Sequence, residues 1–229
     1  MAKTITHDEK LNAFWGNEDH LTVAQQKSFT QLIFELLSEK EPTSQQLKIF
    51  ELILNLSIDH GPETPSAVET IKAAKEGKTI SESVAAGVVM ISDSHGGAIE
   101  PAMELLYSLK ESQPEAGRPL DERIKNLVDE YLKEGKRMAG FGHRIYEVDP
   151  RAQLILNTLT EANLGQEYVE IAREVEKELE AQKGKKLPLN IDGAIAVALC
   201  SFGWDSKLGK AVFLIARTPG LCGQYLTNS

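Results

Sequence analysis

Three of the five histidines in this chain lie beside a glycine or an arginine, at breaks between helix-like segments where side chains could perform acid–base chemistry. His60 lies in SIDHGPETPSA, His95 in SDSHGGAIEPA and His143 in GFGHRIYEVDPRAQ. Glycine lets a ligand approach the backbone closely, and the free amides at a helix start attract anions. A histidine at one such position is more often a capping or core residue, so it is their joint occurrence that indicates a site.

A carboxylate and two arginines lie in similar positions. Asp192 sits between the apolar LPLNI and a run of small residues, where a largely buried carboxylate needs a partner or a raised pKa. A raised pKa suits proton transfer, although Asp192 could equally cap the next helix. Arg151 and Arg217 could each hold a carboxylate in a two-pronged contact, or serve as a surface ion pair and a structural partner respectively.

Motifs for other chemistries are absent from the sequence. It contains no His-x₃-His, no HExxH and no cysteine pair at metal-ligand spacing, which predicts no metal site. It also lacks a GxSxG turn, a Walker lysine loop and a dinucleotide-binding glycine pattern. The remaining interpretation is metal-free acid–base chemistry by two histidines and one aspartate, with arginines holding carboxylates.

Composition limits the partners. The 229 residues carry a formal charge of −9, which argues against a general nucleic-acid or anionic-membrane surface. A polyanionic small molecule would need a local basic cluster such as KEGKR (133–137) or KGKK (183–186), each of which could also be a solvated loop. The polar start of the sequence has no signal-peptide core, and Cys200 and Cys222 are predicted to be buried free thiols, so we expect a cytoplasmic protein.

The elements that position these groups are predicted to be helices. One apolar stripe recurs at helical spacing from Phe29 to Leu37 and another from Tyr168 to Leu179, which ends before Gly184. Runs that alternate apolar and polar residues are not convincing anywhere in the sequence. These patterns predict an all-α fold.

Four blocks together resemble the citrate synthase superfamily. GFGHRIYEVDPRA resembles its GFGHRVY…DPRA signature, and SDSHGGAIEPA is similar to its GPLHGGA block. LPLNIDG and FLIARTPGLCGQYL look like two further blocks, and all four occur in the family's order across residues 57–226. The short chain and its DHGP-x-x-PSA segment resemble citryl-CoA lyase and the C-terminal citrate synthase-like module of ATP-citrate lyase.

The resemblance implies a citrate synthase-like, two-domain helical fold that works as a homodimer with its active site in the cleft between the domains. Residues 1–94 and 200–229 would form a truncated large, dimerisation domain, and residues 95–199 a small CoA-binding domain. The substrate would be a coenzyme A thioester, with no tightly bound cofactor. A citryl-CoA synthetase is a possible partner protein.

The resemblance also assigns roles. His95 would stabilise the enol of the acetyl group, Asp192 would exchange the proton at its carbon, and His143 would act on the oxygen that alternates between carbonyl and hydroxyl. The substrate carboxylates would be held by His60, Arg151 and Arg217. The CoA side would be lined by Arg137, Met138, Gly140, Phe141 and Gly142.

The function implied is cleavage of citryl-CoA to acetyl-CoA and oxaloacetate. A compact citrate or methylcitrate synthase, which condenses acetyl-CoA with oxaloacetate, shares the same residues and is the first alternative. A CoA-thioester-binding module without turnover is the second. It is motivated by Gln224, which stands where the last block usually has histidine, and by a sequence that stops at Ser229, before the tail arginine of the family.

Overall fold

The computed structural model describes residues 4–92, 96–111, 119–143 and 146–229. Within these residues it contains eleven α-helices and one small sheet, so the all-α prediction is confirmed. His95 lies outside the described residues, as do positions 93–94, 112–118 and 144–145.

The described helices follow one another along most of the chain. They are α1 His20–Gln26, α2 Phe29–Ser38, α3 Ser44–Ser57, α4 Pro65–Lys75, α5 Ile80–Val89, α6 Ile99–Glu111, α7 Leu120–Lys133, α8 Pro150–Glu161, α9 Gln166–Lys183, α10 Ile191–Ser201 and α11 Leu208–Asn228. The chain divides into two compact units, Met1–Leu52 and Ile53–Ser229.

The first unit begins with a small antiparallel sheet that the sequence patterns did not reveal. Its strands β1 (Ile5–His7), β2 (Ala13–Trp15) and β3 (Glu18–Asp19) pair in the order β1-β2-β3. Gly16, at φ 63°, opens the two-residue turn between β2 and β3, which is a position where hairpins favour glycine. Strands of two or three residues are too short to display a period-2 pattern, which explains the miss.

Helix α2 buries a different face from the predicted stripe. Phe29 is 76% exposed, whereas Glu35 is fully buried. The Glu35 carboxylate accepts hydrogen bonds from Lys27 Nζ at 2.9 Å and from Trp15 Nε1 at 3.1 Å. Since a buried charge is tolerated when it is paired and hydrogen-bonded, these partners allow a glutamate in the core on a face that apolar periodicity alone assigns to solvent.

The second unit is organised around α10, which packs against α6 and α8. Every residue from Gly193 to Cys200 on α10 is buried, including the large side chains of Ile195 and Leu199. Helix α11 packs against α4 and α5 in the same unit. A helix held on all sides by apolar contacts is a rigid support, so Asp192 in its first turn has a fixed position.

The prediction of buried free thiols holds for Cys200, which is buried, whereas Cys222 is only half-buried; neither forms a disulfide. None of the helices in the described ranges is both long and apolar enough to cross a membrane. In the same ranges, no group of three or more His, Cys, Asp or Glu side chains is arranged to hold a metal ion. The predicted division into domains at 94/95 and 199/200 stays a prediction.

Candidate active site

Two motifs far apart in the sequence form a single backbone unit. The amide of Gly142 donates to the carbonyl of Pro188 at 2.7 Å, and the amide of Asn190 donates to the carbonyl of Gly140 at 2.9 Å. Phe141 and Leu189 pair between these bonds as an antiparallel bridge. The glycine-rich segment before His143 is therefore fixed to the segment that leads into α10 and Asp192.

Asn190 joins the two motifs a second time and was missed as a functional residue. Its Nδ2 donates to the carbonyl of Gly142 at 3.0 Å, and its Oδ1 accepts from the amide of Gly193 at 3.1 Å. Asn190 is thus the N-cap of α10, and Asp192 is not. The signal was available, since asparagine before a run of small helical residues is typical of an N-cap.

Gly140 fills a position that no other residue fits. It has φ 83°, and a Cβ built there would lie 2.8 Å from the Cα of Gly193. Such a distance is shorter than real Cβ contacts, so the two backbones can meet only as two glycines.

We expect Gly140→Ala to lower the free energy of unfolding by about 2–5 kcal/mol, from left-handed strain and from overpacking against α10. Gly135→Ala is the matched control, because Gly135 has φ 66° with nothing within 4 Å of a built Cβ. It should cost only the strain, about 1–2 kcal/mol. Equal losses for the two variants in chemical denaturation would contradict the close approach.

Asp192 has the electrostatics of a proton-transfer group. Burial of the carboxyl group raises its pKa from 3.8 to about 6, although the residue as a whole keeps an intermediate exposure. The positive charges of Arg151 and Arg217 and a hydrogen bond from the Gly96 amide act in the opposite direction. Because Asn190 caps the helix, this carboxylate is not committed to capping.

Arg151 is held by a carboxylate that the sequence analysis did not select. Its Nε and Nη2 donate to the two oxygens of Asp149 at 3.0 and 2.8 Å, and Asp149 is fully buried. Burial alone would raise the pKa of Asp149, but the hydrogen bonds and charge of Arg151 hold it below the ordinary value. The aspartate of the DPR motif therefore fixes the orientation of the Arg151 guanidinium by binding one of its edges.

The other edge of Arg151 faces His60. The distance between Arg151 Nη1 and His60 Nδ1 is 3.2 Å. A guanidinium can only donate, so Nδ1 accepts and the neutral ring carries its proton on Nε2. His60 as a whole is exposed, but partial desolvation of its ring, followed by the charges of Arg151 and Arg217, lowers its pKa and favours this neutral form.

Arg217 supplies a buried donor that is available to a ligand. It is 3% exposed, and its Nε donates to the carbonyl of Ser57 at 2.8 Å. Its Nη1 is buried and has no hydrogen-bond partner among the described residues. Phe213 covers one face of the guanidinium, with its ring centroid 4.8 Å from Cζ. A desolvated guanidinium nitrogen of this kind suits an incoming carboxylate.

The ring of His143 is oriented by a hydrogen bond within its own loop. The amide of Tyr146 donates to His143 Nδ1 at 3.1 Å, and the two rings lie 4.6 Å apart. The neutral ring therefore carries its proton on Nε2, the nitrogen that can donate to a ligand oxygen. Burial lowers the pKa of His143, which favours the neutral form near pH 7.

The structure thus brings together five predicted side chains in the second unit, each close enough to influence the ionisation of at least one other; they are His60, His143, Arg151, Asp192 and Arg217. Of the residues predicted to line the CoA side, Arg137 is exposed, Met138 is buried, and Gly140, Phe141 and Gly142 belong to the paired segment.

A cavity of about 250 Å³ lies elsewhere in the second unit, between α9, the segment that precedes α8 and the segment that follows α9. Its lining includes Lys186 of the KGKK run together with Arg173 and Lys177. Three glutamates line it as well, so the cavity carries no excess of positive charge. The five converging side chains do not contribute to it.

Comparison with known families and sequences gives consistent matches. The family described as "Citrate synthase, C-terminal domain" matches residues 4–229. A probable ATP-citrate synthase of Dictyostelium discoideum is 30% identical over 196 residues, which are 78% of this chain and 30% of that protein. A citrate synthase of Synechocystis is 33% identical over 195 residues, 81% of this chain and 46% of that protein. The chain therefore spans less than half the length of these relatives.

Solved structures give the same fold. A citryl-CoA lyase from Hydrogenobacter thermophilus superimposes with a TM-score of 0.88 at 32% identity, covering 100% of this chain and 86% of that one. An ATP citrate lyase from Methanothrix soehngenii, in complex with citrate and coenzyme A, superimposes with a TM-score of 0.83 at 26% identity, covering 99% and 38%. The resemblance found in the sequence motifs is confirmed.

Proposed function

Because the chain belongs to the citrate synthase family, we propose that it is a citryl-CoA lyase-type enzyme that cleaves (3S)-citryl-CoA to acetyl-CoA and oxaloacetate. One observation carries the proposal: a carboxyl group with a pKa of about 6 lies beside two arginines, one of which has a buried nitrogen with no hydrogen-bond partner among the described residues. An acid able to exchange a proton beside a carboxylate-binding group is what this cleavage needs.

In the proposed reaction, Arg217 and the Arg151–His60 pair hold the substrate carboxylates. His143 takes the proton of the hydroxyl group as that carbon becomes the ketone of oxaloacetate. The carbon–carbon bond breaks, and its electron pair passes to the enolate of acetyl-CoA, whose negatively charged oxygen is stabilised by a hydrogen bond from His95. Asp192 then delivers its proton to the enolate carbon, which completes acetyl-CoA.

The tautomer of His143 adds a requirement to this scheme. With Nδ1 accepting from the Tyr146 amide, Nε2 already carries a proton and can only donate. To receive the hydroxyl proton at Nε2, the ring must take the Nδ1–H form and give up its bond to Tyr146. In the reverse direction, the Nε2–H form is already set to donate to the ketone oxygen.

The 33% identity to the Synechocystis citrate synthase favours one second candidate, a compact citrate synthase that condenses acetyl-CoA with oxaloacetate and then hydrolyses the thioester. By microscopic reversibility both enzymes would use the same residues. They differ in whether water reaches the citryl thioester. In either case coenzyme A enters as part of the substrate, and a homodimer and a citryl-CoA synthetase partner remain part of the proposal.

The test supplies purified protein with citryl-CoA, or with acetyl-CoA plus oxaloacetate, and follows free thiol and oxaloacetate together. We expect oxaloacetate from citryl-CoA without free thiol. Free thiol and citrate from acetyl-CoA plus oxaloacetate would instead make the protein a synthase. Binding of CoA thioesters without turnover in either direction would contradict both and favour a binding module.

A further inference from the structure

Gln224, the residue that departs from the family pattern, contacts the loop that carries His60. Its Nε2 donates to Asp59 Oδ2 at 3.0 Å, across 165 positions of sequence. We propose that Gln224, acting through Asp59, is a positioning residue that holds His60 beside Arg151. The inference rests on the proposed function for its kinetic consequence, but its structural part can be tested without turnover.

Residues on one face of α11 contact the segment that leads to His60. Arg217, Gly220 and Gln224 lie three and four positions apart and therefore share a helix face. Arg217 Nε donates to the carbonyl of Ser57, and a Cβ on Gly220 would lie 2.0 Å from the carbonyl oxygen of Ile58. Gln224 continues the same series at Asp59. Helix α11 thus contacts three successive residues, Ser57 at the end of α3 followed by Ile58 and Asp59, and the next residue is His60.

Gln224 is the side chain that donates a hydrogen bond to Asp59, and the charge of Arg217 also lies close enough for the two groups to influence each other's ionisation. Its Oδ2 also accepts from the amide of Gly61, at 3.3 Å, within the same turn. Its Oδ1 is buried and has no hydrogen-bond partner among the described residues. Loss of the Gln224 amide would leave a half-buried carboxylate with one long local hydrogen bond and the charge of Arg217, and a carboxylate that has lost a donor moves toward water.

Movement of Asp59 carries His60 with it. The contact of 3.2 Å with Arg151 keeps Nε2–H of His60 as the donor for a substrate carboxylate. If the loop shifts, the substrate loses that donor while Asp192, which is held on α10, stays in place. The effect should therefore fall on KM, with little change in kcat.

Gln224→Met is the main variant, since it keeps the length of the side chain and its lack of charge but removes the amide. We expect KM to rise about tenfold, because the substrate carboxylate loses one charge-assisted hydrogen bond. We expect kcat to stay within about threefold of the native value. Asn228→Ala is the matched control, because Asn228 Nδ2 donates to the backbone carbonyl of Gln224 at 2.8 Å, one turn along the helix. The control should leave both constants unchanged.

A paired exchange tests the contact itself. In Gln224→Glu two carboxylates face each other. The double variant Asp59→Asn with Gln224→Glu instead exchanges donor and acceptor and keeps the total charge of the native pair. We expect the double variant to recover most of the KM lost in Gln224→Glu. Equal KM values in the two would overturn the proposal, and this comparison also decides the matter if Gln224→Met folds poorly.

A titration read by NMR is independent of turnover. The His60 ring signals, assigned with His60→Gln, report a pKa that burial and the charges of Arg151, Arg217 and His143 lower and that Asp149 raises. In Gln224→Met this pKa should move up toward its ordinary value, and in Asn228→Ala it should not move. An unchanged His60 titration in Gln224→Met would overturn the positioning role. A native protein without activity would contradict only the proposed function.

Discussion

Replacement of Asp192 by asparagine is expected to lower turnover by about 10²–10⁴-fold, the usual contribution of a general acid or base. Asparagine has nearly the same shape and can still accept the hydrogen bond from the Gly96 amide, but it cannot carry the transferred proton. KM should change little, since Asp192 is not assigned to a carboxylate of the substrate. Asp121→Asn, at an exposed position in the first turn of α7, is the control. Near-native turnover of Asp192→Asn would remove Asp192 from the mechanism.

The pH dependence of turnover should report the same group. With a pKa of about 6, Asp192 is protonated below that pH and ionised above it. Cleavage of citryl-CoA uses the protonated form, so its kcat/KM, which reports the ionisation of the free enzyme, should fall as pH rises through about 6. Condensation uses the carboxylate, so its kcat/KM should rise over the same interval. The inflection should vanish in Asp192→Asn in both directions.

Stability should follow the same ionisation with a defined sign. The folded pKa of about 6 lies above the ordinary 3.8, so between these values the folded protein binds more protons at Asp192 than the unfolded chain does. This contribution makes the native protein less stable as pH rises from about 4 to 6. Relative to the native protein, Asp192→Asn should gain stability over that interval. A constant difference in Tm between pH 4 and 8 would contradict the buried carboxylate.

Arg217→Lys is expected to raise KM for oxaloacetate or citryl-CoA by about 10- to 150-fold. This is the loss of affinity expected when one hydrogen bond to a charged group is removed. Arg217 does two things with one planar group, because Nε holds the Ser57 carbonyl and Nη1 is left for the ligand. A lysine ammonium is a single point and cannot reach both positions in the same plane.

The control for this variant is Arg173→Lys, at an exposed position on α9 that lies outside the converging side chains. It should leave KM unchanged. Binding of oxaloacetate, measured by calorimetry, should weaken in Arg217→Lys by the same factor as KM. If oxaloacetate binds Arg217→Lys as tightly as it binds the native protein, Arg217 Nη1 is not a carboxylate site.

The sequence determined the helical class and the chemical groups of the site. Helical periodicity follows from local spacing, and in α9 the predicted stripe from Tyr168 to Leu179 is buried as expected. The glycine-rich breaks between helices were also informative, because Gly140 has a positive φ, which glycine adopts readily. These features can be read from the sequence alone, and they were enough to select the five side chains that the structure brings together.

Tertiary structure alone decided how those groups are held. Glu35 lies in the core because Lys27 and Trp15 reach it from other segments, which an apolar pattern does not record. Asp192 has a raised pKa because burial around α10 removes water from its carboxyl group. Gln224 contacts Asp59 across most of the chain, and nothing local to either residue indicates the other. Burial and long-range hydrogen bonds are properties of the packed chain, so the sequence could name the reactive groups while only the fold set their partners and ionisation.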